Sequence, residues 1–157
     1  MDVSVREIDE QPMLGMHGVV AVQDLPEFFG RAFTAVAAAL EGQGLEPAGP
    51  PVAVYDAAVG ATATVTAGFP TTVPADAPEG LVAEVLPGGR VAELVHCGRY
   101  DAMETTYAAL MAWFAQHGVH GGPVMWEQYL VGPDASPDPC DWRTRVVWPV
   151  VGALVSG

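Results

Sequence analysis

At 157 residues, with 50% hydrophobic and 16% charged side chains, the chain can bury one core without a disulfide or metal staple and is too apolar to be disordered. Six Lys and Arg against nineteen Asp and Glu give a net charge of −13, a field that repels phosphate backbones and anionic lipid. Direct nucleic-acid binding and membrane attachment are thereby excluded, and the acidity needs no ligand to explain it, since it also keeps a protein soluble.

The opening MDVSVREIDEQP has no basic start leading into an apolar run, and no stretch is long enough to span a bilayer, so a cytoplasmic location is expected. Val3, Val5 and Ile8 alternate with polar residues and His17 to Val22 is β-branched, which predicts a strand or hairpin. Asp24-Leu25-Pro26-Glu27 announces a helix with a capping box, and Phe29, Phe33, Val36 and Leu40 make its apolar stripe. Gly42 and Gly44 end it; following a helix rather than a strand, they are a helix stop and not a phosphate loop, and no cofactor is expected.

Strands are expected at Val52 to Tyr55 and from Ala61 to Val65, then a loop holding Pro70, Pro74 and Pro78. Leu81 to Leu86 and Arg90 to His96, joined at Pro87-Gly88-Gly89, read as a hairpin. A second helix is expected from about Tyr100 to His117, carrying Met103, Tyr107, Leu110, Met111 and Phe114 on one face and stopping at Gly118. That stop breaks the helical spacing a metal would need between His117 and His120, and no metal site is expected. Cys97 and Cys140 form no C-x-x-C pair, which suits a reducing compartment. Val124 to Val131 and Arg143 to Val150 complete the strands.

The order strand, helix, glycine-proline turn, strand occurs twice, over about 1–70 and 80–152 of a single domain spanning 1–157. Pairing Gly44 with Gly118 and Pro51 with Pro123 sets Tyr55 and Glu127 at corresponding places. The expected fold class is α+β: duplicated β-α-β-β units with pseudo-two-fold symmetry, an antiparallel sheet and both helices on one side, with a groove between the halves.

Alternation along Val124 to Val131 sets Met125, Glu127, Tyr129 and Val131 on one face and Val124, Trp126, Gln128 and Leu130 on the other. A carboxylate among such neighbours is either on the solvent face of an edge strand or held in a semi-buried pocket, where desolvation raises its pKa and a cation or an acid/base task explains it. Tyr55, Tyr107, Tyr129 and Trp148 could line an aromatic wall or pack in the core, and Tyr107 continues the Met103–Met111 stripe.

The segment Leu86-Pro87-Gly88-Gly89, running on to Gly98-Arg99-Tyr100-Asp101 and followed by Tyr107, Leu110, Trp113 and Trp126-Glu127-Gln128-Tyr129-Leu130, resembles the GyrI-like small-molecule-binding domain. That family also supplies the effector-binding domains of AraC-type and MerR-type drug-sensing regulators. The resemblance implies a cleft in which Glu127 meets cationic, hydrophobic compounds, with Tyr129 and Tyr55 lining it; Trp148, Tyr107 and Met111 join from the reading of the residues. With a first strand at Val3, no DNA-binding domain is expected ahead of it, which makes this a stand-alone version. Stand-alone relatives suggest three functions: binding and sequestration of small amphipathic, aromatic or cationic drugs and toxins; hydrolysis of reactive cyclopropane-type molecules with Glu127 and Tyr129 as catalytic groups; or inhibition of gyrase through a protein contact.

Overall fold

A computed structural model describes residues 3–56, 61–133 and 135–152. In chain order its elements are β1 (Ser4–Ile8), β2 (Gln11–Ala21), α1 (Leu25–Gly42), β3 (Val52–Asp56), β4 (Thr62–Pro70), β5 (Val82–Leu86), β6 (Gly89–Cys97), α2 (Met103–His117), β7 (His120–Gly121), β8 (Val124–Val131) and β9 (Arg143–Val151), with short 3-10 turns before each helix and before β9. No helix among the described residues is long and apolar enough to cross a membrane.

The chain divides into two compact units, residues 9–88 and residues 1–8 with 89–157. In the first, antiparallel strands follow the order β3-β4-β2-β5; in the second, the order is β8-β9-β6-β1, with β7 on β9. The two paths match element for element, so the α+β class with duplicated β-α-β-β units holds. The hairpin expected across Pro87-Gly88-Gly89 does not form. β5 pairs with β2 while β6 pairs with β1 and β9. The opening residues are not a hairpin either, because β1 and β2 also take different partners. Each leading strand thus completes the sheet of the other half of the sequence. Alternation decides which face a side chain takes; it does not decide which strand lies alongside.

Helix α1 packs on the face of its sheet that carries Leu14 and Phe69, where Leu14, Val36 and Leu40 are fully buried. Its buried stripe is Phe28, Ala32, Val36 and Leu40, rotated at its start by one residue from the Phe29–Phe33 line expected. Phe28 packs over Gly18 of β2, where an added Cβ would lie in ordinary contact with its ring at 3.4 Å. Phe29 and Phe33 stack on one another at the half-buried flank, centroids 5.7 Å apart. Asp24 ends the preceding 3-10 turn and makes no side-chain cap, so the capping box is absent and Pro26 alone shapes the first turn.

Helix α2 begins at Met103, Tyr100–Ala102 forming a 3-10 turn before it. Gly118 stops it in the left-handed conformation (φ 66°), which glycine adopts without the Cβ clash other residues suffer. Met103, Thr106, Leu110 and Phe114 face the sheet; Tyr107 stays half-buried and Met111 is 52% exposed.

Candidate functional site

The registers Glu127↔Val146, Tyr129↔Thr144 and His96↔Thr144 place Glu127, Tyr129, Thr144, Val146 and His96 on one face of the 89–157 sheet. Helix α2 covers the same face, through Thr106 on His96 and Phe114 on Trp148. The alternation expected for β8 holds through Tyr129; an irregularity between Tyr129 and Val131 then turns Val131 to the opposite side, against Arg143.

Glu127 is half-buried, its carboxyl ringed by protein. Tyr107 Oη donates a short hydrogen bond to Oε2, and Tyr129 Oη donates to Oε1 at 2.8 Å. Burial pushes the carboxyl above the ordinary carboxylate range, and the phenols of Tyr107 and Tyr129, with His96 nearby, pull it back only part of the way. The carboxyl is thus held by two phenols and makes no ion pair among the described residues.

His96, Thr106, Tyr100 and Trp142 also belong to this region, and sequence reasoning missed them as site residues. His96 is 4% exposed, with Nε2 2.7 Å from the Arg99 carbonyl and Nδ1 2.6 Å from Thr106 Oγ1. A carbonyl only accepts, so Nε2 carries a proton, and His96 ties β6 to the turn that presents Tyr100. Tyr100 meets Tyr129 edge-on (6.0 Å, 81°) and stacks on Trp142 (5.3 Å, 22°). Trp142 is held in turn by its indole N–H on the Ser136 carbonyl at 2.9 Å. The Gly98-Arg99-Tyr100-Asp101 run was the available signal for Tyr100; Trp142 sits in an irregular loop where no periodicity applies.

The other expected residues are distributed as follows. Trp148 is 9% exposed, donates to the Gly122 carbonyl at 3.0 Å and lines an open hollow of about 500 Å³ with Met111, Phe114 and His120. Tyr55 belongs to the 9–88 unit, where it lies across from Val65 on β4 and is 7% exposed. Among the described residues no cluster of three metal-ligating side chains occurs.

Thr144 is fully buried between Tyr129 and His96, and its hydroxyl makes no hydrogen bond. An unpaired buried hydroxyl costs about 1–3 kcal/mol. Thr144→Val keeps the shape and removes the penalty, so urea denaturation should show it equal to the wild type or more stable by about 1 kcal/mol.

Two β-α-β-β units, each an antiparallel sheet with one helix, define the class as a duplicated α+β domain. The chain belongs to the family of GyrI-like small-molecule-binding domains, matched over residues 1–151. No curated protein matches it. Among solved structures it is similar to the EcmrR C-terminal domain (TM-score 0.84, 17% identity, covering 97% of this chain and 98% of that one). It is also similar to SAV2435 bound to tetraphenylphosphonium (TM-score 0.69, 11% identity, 97% and 95% covered). A third similar structure is a hydrolase encoded by lin2189 from Listeria innocua (TM-score 0.65, 12% identity, 96% and 92% covered). At these identities the likeness is one of fold.

Proposed function

We propose that this protein binds small amphipathic cations and aromatic compounds at a site centred on Glu127, with Tyr129 and Tyr107 flanking the carboxylate, and so senses or sequesters drugs or toxins. The observation that carries this reading is the Glu127 carboxylate, buried enough to resist ionisation, hydrogen-bonded by two phenols and in no ion pair among the described residues. An organic cation supplies the missing charge and aromatic faces attract it further. The tetraphenylphosphonium on SAV2435 is a cation of this class. Trp148 and Met111 enter the proposal as outlying contacts. The exposed free thiols of Cys97 and Cys140 fit a reducing cytoplasm.

A second reading has one specific support, the hydrogen bond that Tyr107 donates to the Glu127 carboxyl. A carboxyl with a raised pKa and a phenol beside it can exchange a proton with a substrate, as hydrolysis of a strained ring by Glu127 and Tyr129 would require. One experiment separates the two. Tetraphenylphosphonium and a cyclopropane-bearing compound are incubated with the protein, binding is followed by thermal shift and the compounds by mass spectrometry. Stabilisation with unchanged mass supports a binder; a gain of one water supports the hydrolase. No stabilisation by any aromatic cation, and no change in mass, would overturn both.

A further inference from the structure

The chain contains no lysine; its six basic residues are Arg6, Arg31, Arg90, Arg99, Arg143 and Arg145. The registers Ser4↔Glu93, Val95↔Arg145, Cys97↔Arg143 and Gln128↔Arg145 set Arg6, Arg143 and Arg145 on one face of the 89–157 sheet, the face opposite helix α2. The acidic residue that the described strands place there is Glu93. Three guanidinium groups against one carboxylate make this face locally cationic on a chain of net charge −13.

The charges on it are not paired evenly. Glu93 is 9% exposed and is neutralised by Arg6, whose Nε lies 2.8 Å from Oε1. Arg143 spends Nη1 on the Cys140 and Trp142 carbonyls. Arg145 is half-buried and donates Nη1 to the neutral Gln128 Oε1 at 3.1 Å, with no carboxylate among the described residues in ion-pair reach. Val95 and Ser4 are small residues beside these long ones, and the dip they leave is a hollow of about 340 Å³ lined by Ser4, Glu93, Leu94, Val95 and Arg145.

We infer that this hollow is a second ligand site, separate from Glu127, which takes a small oxyanion on Arg145. The guanidinium is a planar fork that matches a carboxylate or phosphate with two parallel hydrogen bonds, and it holds its charge at every physiological pH. Ser4 offers a further hydroxyl donor at the rim. Arg6 offsets the repulsion that Glu93 would otherwise exert on an incoming anion. The overall negative field works against anions at long range, so binding should be weak, in the millimolar range, and set by the local geometry.

The test uses the full chain and three probes, sodium phosphate, sodium benzoate and sodium chloride, at matched ionic strength. Chemical shifts of the Arg145 Nε–H and the Val95 amide are followed by NMR. The expected result is a saturable shift with phosphate or benzoate and none with chloride. Phosphate alone identifies a phosphate-type ligand, benzoate alone a carboxylate. Arg145→Gln should weaken binding at least tenfold, Arg145→Lys should weaken it several-fold by losing the fork, and Arg31→Gln, in the other unit, should leave it unchanged. Shifts that track ionic strength without saturating, or saturation that survives in Arg145→Gln, would overturn the proposal. Because the readout is made on wild type first, loss of folding in a variant does not leave the question open.

Discussion

Gly68→Ala should abolish or nearly abolish folding, while Gly30→Ala should make the same protein more stable. Gly68 in β4 pairs with Gly15 in β2, and a Cβ on Gly68 would lie 1.9 Å from the Leu14 carbonyl oxygen and 2.7 Å from the Gly15 Cα. Both are backbone atoms in the middle of a ladder, so relief requires separating two paired strands, not turning a side chain. Ordinary overpacking costs about 1–3 kcal/mol, and a backbone clash of this depth should exceed that range, a large share of the total stability of a domain. Gly15 is constrained from the other side, its own Cβ falling 2.6 Å from the Thr66 methyl. Such glycines mark close backbone approach inside a strand. Gly30 is the contrast: exposed in α1, with nothing within 4 Å of an added Cβ. There alanine restores helix propensity and should add about 0.5–1 kcal/mol. Urea titrations of the two variants check both signs at once, and a Gly68→Ala protein that melts like the wild type would show that the two strands are not in close contact.

That contrast also shows what the sequence can disclose. Helix ends at Gly42 and Gly118, the sheet-facing Leu110 and Phe114, and the Glu127–Tyr129 face of β8 were all readable, because they depend on period and on local glycine conformation. The stripe of α1 starts one residue earlier than expected, with Phe28 over Gly18 of β2, a contact between elements that periodicity along the helix does not record. The partners of β1 and β5 were hidden for a similar reason: two adjacent alternating segments suggest a hairpin, and only packing across the whole chain selects β6 and β2 instead. Within the site, Glu127, Tyr129 and Tyr107 were legible as residue types on predicted elements. His96 was not. Its partners are Thr106, ten residues on, and the Arg99 carbonyl in the turn after β6. Trp142 reaches Tyr100 from a loop, across some forty positions of sequence, and no periodic pattern records that contact.

Glu127→Gln should weaken binding of tetraphenylphosphonium about 10- to 100-fold at neutral pH and, in the same protein, raise the melting temperature of the unliganded state. The two effects have one cause. Folding moves the Glu127 carboxyl from the solvated value of about 4.3 to a higher one, since burial outweighs the help from Tyr107, Tyr129 and His96. A group whose folded pKa is raised contributes stability that is fully present below the unfolded pKa and is lost as the pH rises through the folded pKa; each unit of separation is worth about 1.4 kcal/mol. Glutamine carries no proton to lose, and its amide can accept from one phenol and donate to the other. The stability gap between variant and wild type should therefore be small in acid and open towards neutrality, in the variant's favour. Affinity should move with the same titration and the opposite benefit. An organic cation prefers ionised Glu127, and at about 4 Å the attraction is worth about 4 kcal/mol before desolvation is deducted. Wild-type affinity should rise with pH through the folded pKa and level off above it, with protons released to the buffer inside that window, while Glu127→Gln stays weak and flat. Calorimetry in two buffers of different ionisation enthalpy measures the proton release directly. A wild-type affinity that is independent of pH, or a variant that binds as tightly as the wild type, would mean that the cation rests on the aromatic rings alone and that Glu127 has another task.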